Sequence, residues 1–566
     1  MNGSIGRLRW ARMPVVGAGI ALLVAACGGG NNGGTSSSGN MAPSSQQILR
    51  TNSGTEPNSF DPGQQTYDYE GLIGRNTFET LLKPNKTLTD VTGAAASSYD
   101  VSSDGLTYTF HIRTNAKWSD GQPVKAGDFL YGFQRLLDPS LAAGYVDPFF
   151  DTTIAGGANY SNVDPKNTSA VQSFIQGLGL SAPDDHTFVI KLAQPAGYFK
   201  WVVTLWMSAP VRKDLVGSNY TSWASDPTKI VGNGMFKISE YVPKDHVVLV
   251  PNQYYWGDKP HIQKWTDYFI EDANQAYSKY QTGELDVLNV PLSNQDAVKN
   301  DPKLSKEEHR YPSLGTFWLT PNMQVAPFNN LKVRQAVSEA IDRTTLVNSV
   351  AKGLYLSRQS FIPEGMNGYN PSTGNGQAYN ASKAKQDLQA SGLPVSAYDT
   401  VKLLTRATTT NQLINQYLVN QINTNLGVHW TLEVVDSKTV TSRIRKAQFQ
   451  IYGPDGWGAD YPDEQDWYDI FTTGACHGLN WGCPNNSQYD SLVQKGDQAL
   501  KQSDRQNYYD QADKIMQTNY WVAFLYNRPD WDLVKPYVQG LTVTADDESV
   551  YLPGDFYTNT IYIASH

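Results

Sequence analysis

The stretch 401–435 does most to limit what this chain can fold into. Residues 401–405 read as a strand, 411–426 as a helix and 429–435 as a second strand, with Gly427 placed where the helix should stop. Strand, helix, strand in that order implies a parallel pair joined by a right-handed crossover. Other segments point to antiparallel pairing. Residues 106–113 alternate apolar and polar between the turn signals Asp104-Gly105 and Ser119-Asp120-Gly121, and 187–192 and 247–250 are further strand candidates. A helix is expected over 128–137, ending at Asp138-Pro139. A longer one is expected over 331–352, capped by Asn330 and stopped by Gly353, with Val333, Ala336, Val337, Ala340 and Ile341 on one face. Crossover units mixed with hairpins make the fold α/β or α+β, and 566 residues are enough for two or three domains.

The N-terminus bears on location. Arg7, Arg9 and Arg12 precede a short apolar run, Val15 to Ala26, which is too short to span a bilayer comfortably and reads as a signal peptide, 1–26. It ends in Val24-Ala25-Ala26-Cys27, the pattern of a bacterial lipobox, so Cys27 is expected to carry lipid. Residues 28–40 are nearly all Gly, Asn, Ser and Thr, and a flexible tether is expected over 27–47. A surface lipoprotein on the outer face of the bacterial cytoplasmic membrane follows, touching the membrane through its lipid alone.

Removing 1–26 takes away three Arg and no acid, so the formal charge moves from −9 to −12. An acidic chain with no basic cluster argues against nucleic acid and anionic lipid as partners. Aromatics make up 12% of the sequence, rich in Trp and Tyr, which suits either thick packing or a ligand-lined surface. Beyond Cys27 the remaining cysteines are Cys476 and Cys483, and an oxidising compartment makes a local disulfide the natural reading. His477 beside them supplies too few ligands for zinc. No metal or cofactor is expected.

Catalytic patterns are thin. His-Glu-x-x-His and Gly-x-Ser-x-Gly are absent, and the Ser-x-x-Lys matches at Ser349 and Ser382 lack the Ser-Asp-Asn and Lys-Thr-Gly partners of a penicillin-binding enzyme. A binding protein is expected, and an exported Ser-x-x-Lys enzyme is the remote alternative.

Several segments in order carry a family resemblance: Asn58-Ser59-Phe60-Asp61-Pro62, Tyr108 to Arg113 running into Ala116-Lys117-Trp118-Ser119-Asp120-Gly121, and Val231-Gly232-Asn233-Gly234-Met235-Phe236. They continue with Gln281 to Asp286, Ala326-Pro327-Phe328, Val333-Arg334-Gln335-Ala336 leading to Ala340-Ile341-Asp342-Arg343, and Gly456-Trp457-Gly458-Ala459-Asp460-Tyr461. Together they resemble the peptide-binding (oligopeptide and dipeptide receptor) family of ABC-importer solute-binding proteins. The resemblance implies a periplasmic-binding-protein-like two-lobed clamp with an extra domain inserted in the first lobe. Lobe I would be 48–84, 226–313 and 527–566, the extra domain 85–225 and lobe II 314–526. It further implies a monomer that captures a peptide and delivers it to permease and ATPase subunits. Receptors of this fold for metal chelates, opines or oligosaccharides, and ligand sensors, are the alternatives.

The sharpest local feature is Gly456 to Asp463. Gly456 and Gly458 let another chain approach, Trp457 and Tyr461 offer flat faces, and Asp460 offers a fixed negative charge between them. A carboxylate in a clamp that expels water needs a cation, and a ligand ammonium meets that need. The resemblance gives Asp460 that role, and gives Glu56 and Tyr131 places on the ligand surface. Some oligopeptide receptors carry an Arg shortly before the Gly-Trp, against the ligand carboxylate. Here Tyr452-Gly453-Pro454-Asp455 stands there, with no Arg and one extra residue. Asp463, Glu464, Asp466 and Asp469 lack the spacing of a calcium loop and read as a solvated acidic face.

Overall fold

The computed structural model describes residues 41–144, 146, 150–217, 220–290, 292–311, 313–358, 360–370, 377–546 and 551–566. Cys27, the signal segment and most of the expected tether lie outside these. Residues 41–47, expected as the end of the tether, are held in the fold. Met41 bridges Ala564, and the Gln47 side chain donates to the carbonyls of Ala42 (2.8 Å) and Ile563 (2.9 Å). These polar residues look like linker because their partners lie at the far end of the sequence.

Four larger sheets organise the chain. Ile48–Asn52 runs parallel to Lys264–Tyr268, which continues antiparallel to His246–Pro251 and then Phe236–Val242. An antiparallel sheet takes the order Ala96–Val101, Thr107–Ile112, Thr187–Lys191, Leu180–Asp184. Tyr108, Phe110 and Ile112 point inward along the second of these strands, as its alternation requires. Val287–Asn289, Asp530–Val534 and Glu308–Tyr311 form a third sheet. The fourth has six strands in the order Leu356–Ser357, Ala523–Asn527, Gly315–Pro321, Ile451–Gly458, Lys402–Arg406, Thr431–Val435. Its last two strands are parallel and flank the Thr409–Leu426 helix, the expected crossover, and Gly427 ends that helix at φ +72°.

The first two sheets share one apolar core, in which Leu49, Phe236 and Trp265 join Phe110, Phe133 and Phe188. The six-stranded sheet buries Leu319, Leu403 and Ile451 against Val333, Val337, Leu418 and Ile422. A third, aromatic cluster holds Trp318, Phe361, Trp467, Tyr489 and Tyr509.

Several of the segments noted above are structural ties. Asp61 accepts from Arg135 (2.9 Å) and from the Trp223 indole (2.8 Å), binding an early loop to the Ala126–Leu136 helix; both charges are buried, so each meets the other's cost. Arg343 donates to the carbonyls of Phe524 (2.5 Å), Ser338 and Ile341. That inward turn breaks the helix expected over 331–352. Leu331–Glu339 stops near Ala340, Asp342 caps Arg343–Thr345, and a wider turn follows over Leu346–Val350. The apolar stripe is continuous in sequence while the backbone is not.

Candidate functional site

The Ile451–Gly458 strand lies between Gly315–Pro321 and Lys402–Arg406: Ile451 and Tyr452 pair with Leu403 and Leu404, while its C-terminal end pairs on one side, with Gly315 to Trp318. Gly456 stands opposite Phe317, Trp457 opposite Thr316 and Gly458 opposite Gly315. Between the pairs Trp318–Asp455 and Thr320–Tyr452 one strand advances two residues and the other three. The 452–455 stretch thus carries one residue more than its partner strand and takes it up in a bulge, a device that re-aims the side chains beyond it.

Beyond Gly458 the chain turns through Asp460 into the short helix Gln465–Tyr468. Asp466 Oδ2 accepts the Trp457 indole N–H at 3.1 Å and the Asp460 backbone N–H at 2.9 Å. Trp457 and Asp460 are half-buried and Gly458 is exposed. Tyr461 requires correction: it has no exposed surface, sits in the core shared by the first two sheets, and donates its hydroxyl to Gln465. It supports the loop and offers no face to a ligand.

The acidic run after it is also corrected. Asp463, Glu464 and Asp466 are 3%, 1% and 3% exposed, so they form no solvated face. Arg505 enters the cluster and pairs with Asp463, while its guanidinium lies 5.6 Å from the Tyr198 ring. Burial pushes Glu464 up to about 7, with Asp463 adding repulsion, and pushes Asp469 up to about 6. A run of acids reads as solvated until the cation that gathers it, here forty residues downstream, is known.

A cavity of ≈ 260 Å3 opens beside Gly456. Arg406 and Arg528 line it, with Tyr355 and Tyr526 stacked at 4.5 Å between ring centres. Arg406 donates to the Tyr452 hydroxyl (3.1 Å) and Arg528 lies 5.5 Å from the Phe317 ring centre. Both arginines escaped the sequence reading. Arg406 had a signal, because it ends the first strand of the crossover unit, where ligands of α/β sheets gather. Arg528 had none, since its position depends on long-range pairing. Asp455, on the same wall, is pushed up to about 6 by burial, opposed by the Thr320 hydroxyl it accepts at 2.7 Å.

Glu56 and Tyr131 lie on other elements and do not line this cavity. Glu56 borders a separate ≈ 680 Å3 cavity and accepts from the Tyr241 hydroxyl and the Lys244 N–H (3.1 Å). Tyr131 is half-buried on the Ala126–Leu136 helix, with Lys213 Nζ 5.8 Å from its ring centre. Cys476 and Cys483 are joined in a disulfide, so the thiolates that a metal beside His477 would need are consumed.

Residues 90–478 match the family described as bacterial extracellular solute-binding proteins, family 5. The chain is 28% identical over 534 residues to the periplasmic oligopeptide-binding protein of Salmonella typhimurium, covering 92% of this chain and 94% of the relative. It is 28% identical over 496 residues to the dipeptide-binding protein of Bacillus subtilis, covering 84% and 85%. Among solved structures, the Escherichia coli murein tripeptide-binding protein superposes with a TM-score of 0.72 at 27% identity, covering 92% of this chain and 98% of that one. An oligopeptide-binding protein of Haemophilus influenzae in complex with a nonapeptide shares the fold, with a TM-score of 0.72 at 24% identity over 93% and 100%. The architecture is therefore the mixed α/β two-lobed clamp of periplasmic binding proteins. The chain belongs to the bacterial extracellular solute-binding proteins of family 5.

Proposed function

We propose that this protein captures peptides between its two lobes and hands them to the permease and ATPase subunits of an ABC importer. It acts as a monomer outside the cytoplasmic membrane, held there by lipid on Cys27. In this reading lobe I comprises 48–84, 226–313 and 527–566, the inserted domain 85–225 and lobe II 314–526.

The observation that carries the reading is an arginine-lined cavity at Gly456, with Asp460 four residues further along the chain. Asp460 offers a carboxylate, and Arg406 and Arg528 line the cavity at Gly456. Four residues of extended chain reach at most about 14 Å, so both signs lie within the span of a peptide a few residues long. An ammonium beside Asp460 and a carboxylate beside the arginines bring opposite charges together, an attraction that strengthens as water is expelled. Trp457 adds a flat apolar surface, and the peptide backbone is met by main-chain N–H and C=O groups. In this chain Arg406 and Arg528 stand in for the arginine missing ahead of the Gly-Trp. Relatives named for oligopeptides, dipeptides and murein peptides agree with a peptide as the guest.

Native mass spectrometry of the protein incubated with a peptic casein digest tests this. Peptides of a few residues should be retained. The best-retained peptide, compared with its N-acetylated and C-amidated forms, should bind about 100-fold more weakly to Asp460→Ala, while the N-acetylated form is little changed. Arg406→Ala with Arg528→Ala should cost about tenfold for the free carboxylate and little for the amide. Retention of no peptide, or equal losses for free and blocked forms, would refute the reading.

A further inference from the structure

We infer that Asp466 is a positioning residue: by accepting hydrogen bonds from Trp457 and from the Asp460 main chain, it sets the geometry in which the loop receives a ligand's ammonium. This rests on the assignment of Asp460 above.

One oxygen, Asp466 Oδ2, spans the two residues that carry the proposed contact, with the Trp457 indole N–H at 3.1 Å and the Asp460 N–H at 2.9 Å. Without it, the indole N–H and the Asp460 N–H lose the acceptor that fixes them relative to each other, leaving the Trp457 ring to its packing and the backbone to the Ala459 N–H bond to Leu314. Gly458, between them, has nothing within 4 Å of where a Cβ would stand, so packing at that point does not hold the loop. The far side is fixed independently. Tyr461 is fully buried and bonded to Gln465, and Asp463 accepts the Gln465 N–H at 3.0 Å. Besides the Ala459 N–H, which donates to the Leu314 carbonyl at 2.8 Å, Asp466 ties the ligand side of the loop, and a carboxylate makes the stronger acceptor for both donors.

The test measures two quantities. The first is the preference for the best-retained casein peptide over its N-acetylated form. The second is the 19F resonance of Trp457 in protein labelled with 5-fluorotryptophan, assigned by its loss in Trp457→Phe. Asp466→Ala should lower the preference about tenfold and move or broaden the Trp457 resonance. Asp466→Asn, which keeps an acceptor of the same shape, should restore the resonance and bring the preference to within about threefold of wild type. If Asp466→Ala does not fold, Asp466→Ser, too short to reach both donors, takes its place with the same expectation. Asp460→Ala is measured beside them. If Asp460→Ala lowers the preference while Asp466→Ala leaves both readouts unchanged, or moves the resonance alone, this inference is overturned and the Asp460 assignment stands. An unchanged preference in Asp460→Ala overturns that assignment, and this inference with it.

Discussion

Gly232-Asn233-Gly234 and Gly456-Trp457-Gly458 share a Gly-x-Gly pattern that the folded chain uses in opposite ways. At Gly232 a Cβ would stand 1.9 Å from the Thr77 carbonyl oxygen, and at Gly234 it would stand 2.6 Å from that of Asn76. Asn233 between them accepts the Glu79 N–H and donates to the Glu79 carbonyl, each at 2.9 Å. That segment is a knot of backbone against backbone, and its glycines are there because nothing larger fits. Gly456 lies against the Phe317 ring, but Gly458 faces open space, and the Trp between them is held by a carboxylate nine residues on. The two patterns look alike in sequence. The neighbours that close one and leave the other open come from distant segments, and the open one is where we propose that a guest enters.

Three substitutions sharpen or break that contrast. Gly232→Ala should have the largest effect, about 3 kcal/mol or more of lost stability in denaturant titration, because the obstructing atom is backbone and cannot turn aside. Peptide retention per folded molecule should be unchanged; a selective loss of binding would place the knot in the ligand site.

Asp267 lies in the sheet that the knot feeds, where it accepts from the Thr51 hydroxyl (2.5 Å) and from Ser53. Burial pushes it up to about 6 from 3.8, against the pull of those hydroxyls. The folded protein therefore holds the proton more tightly than the unfolded chain, and this group costs stability as pH rises from about 4 to about 6. Between pH 4 and pH 7 the stability of Asp267→Asn, relative to wild type, should improve by about 2 kcal/mol. A flat difference across that range would show that Asp267 is not raised.

Gly458→Ala should have the smallest effect on folding, within about 0.5 kcal/mol, with peptide affinity reduced about threefold as the methyl intrudes on the open face. A stability loss comparable to that of Gly232→Ala would erase the distinction between the two segments.

The crossover unit at 401–435, the strands around 107–112 and 187–191, and the stop at Gly427 were legible because each depends on local periodicity and punctuation. The family resemblance led to Asp460 and Trp457 through their neighbours in sequence. What stayed hidden depends on distant partners. Tyr461 looked like a ligand surface until the core around it was known, and the acids at 463–469 looked solvated until Arg505 was found among them. Met41 to Gln47 looked like tether because the carbonyl of Ile563 that holds them is 516 residues from Gln47. The break after Glu339 was masked by an apolar stripe that continues through it, while Arg343 turns inward to backbone carbonyls.

The bulge between Tyr452 and Asp455 sets which way Trp457 faces. Side chains along a strand alternate between its two surfaces, so one surplus residue laid flat would have turned every later position over. Because the kink takes up the surplus, deletion of Gly453 is not a neutral trimming. It would leave the ladder with one residue too few for its bend, and the indole would be left to choose between the two surfaces of the sheet.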